Sequence, residues 1–175
     1  MDVLDAVNRR MSVRAFKSDP VEAALLRELL EASARAPSGG NLQPWRVQAI
    51  AGQPLEALRA TMLQRVAAPD TPEYDVYPAN LWEPLRSRRF QVGEDLYGAL
   101  KIPREDKMAR LQWFASNGQG FGAPVLLFFS VDRRCGPPHM LFSGMALGYR
   151  DEAAPVNTWR SRRDPFEVWG EMKGF

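Results

Sequence analysis

The chain has 175 residues, 45% hydrophobic and 25% charged, the size and balance of one folded domain with its own core. Its 23 basic against 21 acidic residues leave a formal charge of +2, too small to argue for a nucleic-acid partner. The single cysteine, Cys135, excludes an internal disulfide and points to a reducing, cytoplasmic setting, while the N-terminal stretch lacks an apolar signal core and the longest apolar run, residues 123–131 with Pro124 and Ser130 inside it, is too short to cross a bilayer.

Residues 2–10 read as a short helix capped by Asp2, with Val3, Leu4 and Val7 on one face. A polar, Arg-rich stretch follows. Asp19 as N-cap, Pro20 at the first helical position and Glu22 three residues after the cap predict the start of a second helix. Leu25, Leu26, Leu29 and Leu30 give it an apolar stripe, and Pro37 sets its end near Ala36. Residues 37–41 are loop by composition. Residues 45–49 alternate as a half-buried strand that ends at Gly52. Pro54 opens a third helix with Leu55, Leu58, Met62 and Val66 on one side.

Pro69, Pro72, Pro78 and Pro84 then break the chain into an extended stretch carrying Tyr74, Tyr77 and Trp82. Irregular chain of that length serves either as a lid over a site or as an aromatic-anchored surface loop. Helices are expected at about 85–100 and 104–116, the second stopped by Asn117-Gly118. The apolar run 124–131 predicts a central strand and residues 140–149 a second buried strand. The tail, residues 150–175, is polar, Arg-rich and Pro-punctuated, and should wrap over the body or over a partner chain. Mixed helices with few strands give a single three-layer α+β domain over residues 1–175.

Several chemistries lack their residues. His139 is the one histidine; Cys135 lies four residues before it with no further Cys or His nearby, so no metal is expected. No serine sits in a nucleophile elbow, and Gly118-x-Gly120-x-Gly122 follows a helix and precedes a strand, the reverse of a dinucleotide fingerprint. It reads as a loop feeding the strand at Pro124. Three clusters remain: Arg10-x-Ser12-x-Arg14; Pro37-Ser38-Gly39-Gly40-Asn41-Leu42-Gln43-Pro44-Trp45; and Asn157-Thr158-Trp159-Arg160-Ser161-Arg162-Arg163. Nineteen of the 23 basic residues are Arg. The first and third clusters combine guanidinium groups with hydroxyls, the chemistry of a phosphate cradle. The middle cluster offers small residues, free amides and two side-chain amides, suited to close approach by a flat heterocycle. Singly, an Arg run is as readily a solvated face, and such a loop a plain turn.

In this order and wording, the clusters make the chain resemble the nitroreductase family of FMN-dependent oxidoreductases. The resemblance starts at Arg9-Arg10-x-Ser12-Val13-Arg14-Ala15-Phe16 and continues through Ala36-Pro37-Ser38-Gly39-Gly40-Asn41-Leu42-Gln43-Pro44-Trp45. It resumes at Gly120-Phe121-Gly122-Ala123-Pro124 and ends with Gly144 to Glu152, Pro155 to Trp159 and Gly174-Phe175. It implies a central, mostly antiparallel sheet flanked by helices, a C-terminal tail extended over the partner subunit, and a homodimer with FMN at the interface. Arg10, Ser12 and Arg14 would hold the flavin phosphate and pyrimidine edge, and Arg160 with either Arg162 or Arg163 would also grip the phosphate. Pro37, Ser38, Gly39, Asn41 and Gln43 would reach the flavin from the other subunit. The implied activity is ping-pong hydride transfer from NAD(P)H as co-substrate to a small-molecule acceptor such as a nitroaromatic or quinone. The flavin carries the chemistry, and no side chain need act as nucleophile or general acid.

The chain departs from the pattern in one place. Family members carry a long apolar helix and a loop between the two last strands, and a backbone amide of that loop faces the reactive flavin nitrogen. Here the flanks are joined by little more than Gly136-Pro137-Pro138, around residues 136–140. A buried helix contributes at about 25 cal/mol per Å² of apolar area, so its loss bears on a total stability of about 5–15 kcal/mol. Alternative expectations follow: a shortened, catalytically impaired relative that binds flavin weakly or only dimerises, or a small Arg-rich nucleotide binder. The last needs a contiguous basic face, against which the near-neutral charge speaks.

Overall fold

The computed structural model describes residues 2–67, 77–131, 134 and 141–172. Three strands, β1 (Trp45–Ala51), β2 (Val125–Val131) and β3 (Leu141–Leu147), form one antiparallel sheet in the order β1-β2-β3. Opposite residues include Val47 and Phe129 across the first pair, and Phe128 and Gly144 across the second. β2 is central, and Val125, Leu126 and Leu127 are buried, as a continuous apolar run requires of a strand covered on both faces. β1 is an edge strand; its side chains alternate in burial from Trp45 to Gln48. The expected α+β architecture with an antiparallel sheet is thus observed.

Helix α1 (Val3–Arg9) begins where the sequence places it, with the Asp2 carboxylate accepting from the Asp5 amide at 2.8 Å. Its apolar face finds no cover within the chain: Val3, Leu4 and Val7 are 78%, 73% and 66% exposed. α2 (Ala23–Ser33) corrects the sequence reading. Asp19 and Pro20 do not start it; its N-cap is Glu22, whose side chain makes no capping bond, and it ends before Ala36. Local cap chemistry alone did not decide the boundary. α3 (Gly52–Ala67) packs on β1 and β2 and buries Leu55. α4 (Leu85–Ala99) and α5 (Lys107–Ala115) fall inside the expected ranges, and Asp106 caps α5 by accepting from the Ala109 amide at 2.9 Å. A four-residue α6 (Phe166–Trp169) lies in the tail, where no helix was expected.

The glycine-rich loop ahead of β2 is a single 3-10 turn, Gly120–Gly122, with positive φ at Gly120, Phe121 and Gly122. A Cβ on Gly120 would lie 2.2 Å from Leu126 Cδ2, so only glycine lets the loop close on the central strand. Arg59 of α3 holds the same loop, donating to the carbonyls of Gln119 (3.1 Å) and Ala123 (2.5 Å). The reading of this segment as a loop feeding the strand therefore holds.

The chain's two ends are stitched together. Lys17 N donates to Tyr149 O (2.8 Å), Asp151 N donates to Ala15 O (3.1 Å), and Phe16 bridges Arg150. A 3-10 turn, Pro155–Asn157, packs against α4 and buries Val156 and Asn157. The shortened connection between β2 and β3, with Cys135 and His139, lies outside the described residues, as do Tyr74, Pro69, Pro72 and the last three residues. On either side of that connection β2 and β3 pair directly, Ser130 opposite Leu141, with an irregularity between Phe129 and Ser130.

Candidate functional site

The stitched ends enclose a cleft of about 520 Å³ between residues 7–14, residues 159–163 and Val92 of α4. Arg10, Arg14, Arg160 and Arg163 all line it, together with Ser12, and no carboxylate does. Four cations facing one space without a carboxylate in its lining give the cleft a chemistry suited to an anion, in a chain of net charge +2.

The cations are not equivalent. Among the described residues the Arg10 guanidinium and the Ser12 hydroxyl have no side-chain partner, so both are available to a ligand. Arg14 donates a long bond from Nη1 to the Ser12 carbonyl (3.4 Å). Burial pushes its pKa below the ordinary guanidinium value, and no acidic neighbour offsets that desolvation. A bound anion would supply the missing compensation. Arg160 turns its guanidinium onto the end of α1, donating to the carbonyls of Asn8 (2.7 Å), Arg9 (2.7 Å) and Arg10 (3.1 Å). These are the orphan acceptors of a helix C-terminus, so Arg160 fixes the position from which Arg10 projects. Arg163 spends one nitrogen, Nη1, on Ser161 and on the Arg162 carbonyl. Of the pair the sequence left open, Arg163 lines this cleft and Arg162 lines the neighbouring one.

Beneath the cleft sits Asn157. Its Oδ1 accepts from the Arg14 amide (2.9 Å), and its Nδ2 donates to the carbonyls of Ala15 and Asp151 (2.8 Å each). Sequence reading places Asn157 in the third cluster without a role. Two of its three partners lie 142 and 143 positions away, and no local pattern reveals them.

The middle cluster does not reach this cleft within one chain: no residue of 37–43 lines it. The loop is nonetheless shaped in advance. Gly40, Asn41 and Gln43 all have φ near +50° (56°, 54° and 47°). Ser38 Oγ accepts from the Gln43 amide (2.9 Å), and Gln43 Nε2 donates to Asn41 Oδ1 (3.1 Å). Two non-glycine residues in the left-handed region cost roughly 1–3 kcal/mol each, and such strain gathers at ligand-binding loops. Among the described residues no group of three or more His, Cys, Asp or Glu is placed to hold a metal, and no helix is long and apolar enough to cross a membrane.

The fold and the cleft together define an α+β protein with an arginine-lined, carboxylate-free cleft between its two chain ends. More specifically, the chain belongs to the nitroreductase family, whose model matches residues 7–169. It is 35% identical to the nitrobenzene nitroreductase of Ectopseudomonas oleovorans over 74% of this chain and 59% of that one. It is 28% identical to the 4-nitrobenzoate reductase of Pseudomonas putida over 99% of this chain and 97% of that one. The chain thus spans about three fifths of the first relative's own length. The second alignment runs over 220 positions, exceeding the 175 residues here by 45. Among solved structures, the FMN and NADPH-dependent nitroreductase NfnB from Sphigopyxis sp. strain HMH superposes with a TM-score of 0.91 at 36% identity, covering both chains in full.

Proposed function

We propose that the protein is an FMN-dependent oxidoreductase that passes hydride from NAD(P)H to a nitroaromatic, quinone or similar acceptor, acting as a homodimer of single-domain subunits. The observation that carries this reading is the cleft with four arginines and no carboxylate, in which the burial of Arg14 goes uncompensated. The residues fit the cofactor. Arg10, Ser12 and Arg163 would hold the FMN phosphate, with Arg160 anchoring Arg10. Arg14 would stand at the pyrimidine edge, a desolvated cation suited to stabilising negative charge on the ring. The preshaped loop with Pro37, Ser38, Gly39, Asn41 and Gln43 would close the site from the second subunit. FMN, when bound, accepts hydride from one substrate and yields it to the next, so reductant and acceptor occupy the site in turn. The nitrobenzene and 4-nitrobenzoate named for the two relatives support a nitroaromatic acceptor.

The test is an absorbance spectrum of the folded protein after incubation with FMN and dialysis. The wild type is expected to keep an equimolar flavin band and to oxidise NADPH when nitrobenzene is added. Arg10→Ala should weaken flavin retention by at least about tenfold, the scale of one lost charge-assisted contact. Folded wild type without flavin overturns the proposal. That the second alignment is longer than this chain by 45 positions favours one second reading, a shortened relative that keeps flavin or the dimer but not turnover. Retained flavin without NAD(P)H oxidation selects it.

A further inference from the structure

The carboxylate nearest in sequence to the arginines of the anion cleft is that of Asp164, the residue after Arg163. With Cα atoms about 3.8 Å apart, the two charges can meet well inside the screening length of about 8 Å at physiological salt. Asp164 nevertheless does not line the anion cleft. It faces the neighbouring cleft of about 750 Å³, between α4 and the C-terminal tail, which Arg163 also borders. There its Oδ2 pairs with Nη2 of Arg88 on α4, and its carbonyl accepts from the Trp169 indole N–H at 3.2 Å. Arg163 for its part bonds to Ser161 and to the Arg162 carbonyl rather than to its acidic neighbour. The other carboxylate of the second cleft, Asp95, is held by the Gln91 amide at 2.7 Å. Glu167, the next acidic residue along the tail, lines neither space. Arg88 is thus the partner that decides which way Asp164 faces.

We propose that Arg88 is a positioning residue that sets the specificity for a phosphate-bearing flavin: it holds the Asp164 carboxylate on the α4 side of the tail and so keeps the anion cleft free of negative charge. The inference rests on the reading that Arg163 takes the FMN phosphate. A carboxylate and a phosphate compete for one guanidinium, because both accept its paired N–H groups. Released from Arg88, Asp164 would find Arg163 beside it and set a negative charge against the incoming phosphate. Arg88 therefore acts on the cofactor without touching it, through a carboxylate that it keeps away. The Arg88 and Asp164 side chains are 43% and 39% exposed, so the charge in question is a screened one, with an effect on affinity of about fivefold.

The experiment is fluorescence titration of the full chain, stripped of flavin, with FMN and with riboflavin, which has the same ring and no phosphate. The wild type is expected to prefer FMN. Arg88→Ala should lower that preference about fivefold, with the affinity for riboflavin unchanged. Asp164→Asn should bind FMN at least as tightly as the wild type. Arg88→Ala combined with Asp164→Asn should restore the wild-type preference, because no carboxylate remains to be held away. Arg89→Ala removes the same charge from the next position of α4, but Arg89 lies over the Tyr77 ring, its Cζ 4.0 Å from the centroid, instead of on a carboxylate. That variant should keep the wild-type preference. Asp164→Asn that weakens FMN as much as Arg88→Ala overturns the proposal, since the pair would then act only as a tie between tail and helix. An equal loss in Arg89→Ala overturns it too, assigning the effect to the general charge of α4. Unchanged preference in Arg88→Ala defeats this inference alone; wild type that binds neither flavin, or both equally, defeats the phosphate-cleft reading on which it rests.

Discussion

Asn157 is 4% exposed, and both of its amide atoms are committed, one acceptor and two donor bonds joining residues 14–15 to residue 151. Truncation would leave the Arg14 amide and the Ala15 side of the seam short of partners in a place water hardly enters. A buried group left unpaired costs about 1–3 kcal/mol, so Asn157→Ala should destabilise the protein by about 2–4 kcal/mol. For a chain of this length that lowers Tm by roughly 5–15 °C, which differential scanning calorimetry measures. The effect extends to function, because the same amide sets the backbone from which Arg14 enters the cleft. A variant that melts within a degree of the wild type would mean the ends are held by other contacts. Arg160 acts comparably on α1, so two residues near the C-terminus hold the N-terminal half of the phosphate cleft.

Between elements, α4 and α5 are tied by Arg110, which donates to both Glu94 oxygens (2.7 and 3.4 Å) while its Cζ lies 4.2 Å from the Tyr97 ring centroid. The hydrogen bond from Arg110 holds the Glu94 carboxyl below the usual carboxylate range, against a smaller opposing desolvation. A carboxyl with a depressed folded-state pKa stabilises fully above its unfolded value, about 4.3, and loses that contribution as pH falls through the folded value. Glu94→Gln should therefore melt below the wild type at pH 7, with the gap closing at pH values under about 4. Thermal melts at several pH values read the difference, and a gap independent of pH would assign the tie to packing. The elements so joined were largely readable. α5 and the central strand announce themselves through a helix stop at Asn117-Gly118 and a continuous apolar run, signals confined to a dozen residues or fewer. The start of α2 was not, because Asp19-Pro20 satisfies a local rule that the surrounding chain overrides. Nor was α6, four residues with no period to detect. The same division holds in the site. Arg10, Ser12, Arg14 and Arg163 stand in compact motifs, whereas Asn157, and Arg59 with partners 60 and 64 positions away, act through distant backbone that sequence spacing does not carry.

At the scale of the whole chain, surface exceeds what one subunit explains. The accessible area is 14,004 Å², whereas a monomer of 19.7 kDa should expose about 8,600 Å². Only six hydrophobic side chains among the described residues are buried, while α1 offers Val3, Leu4 and Val7, and Leu42 in the preshaped loop is 74% exposed. Apolar area of this extent marks a surface meant to be covered. Obligate homodimer interfaces bury some 2,000–5,000 Å² in total, half from each partner, so a second copy would cover part of the excess, and it would also carry the 37–43 loop to a cleft that it does not line in its own chain. Sedimentation equilibrium should accordingly give twice the 19.7 kDa chain mass, and Tm should rise with protein concentration because association binds only the folded state. Val3→Lys with Leu4→Lys, on a helix with no buried residue and at positions that do not line the cleft, should shift the equilibrium toward monomer without removing any internal packing. Flavin retention should fall with it, since the 37–43 loop that closes the site would come from the partner. A concentration-independent Tm with a single-chain mass would instead require the exposed α1 face to be covered by some other molecule, and would leave the 37–43 loop without a route to the flavin.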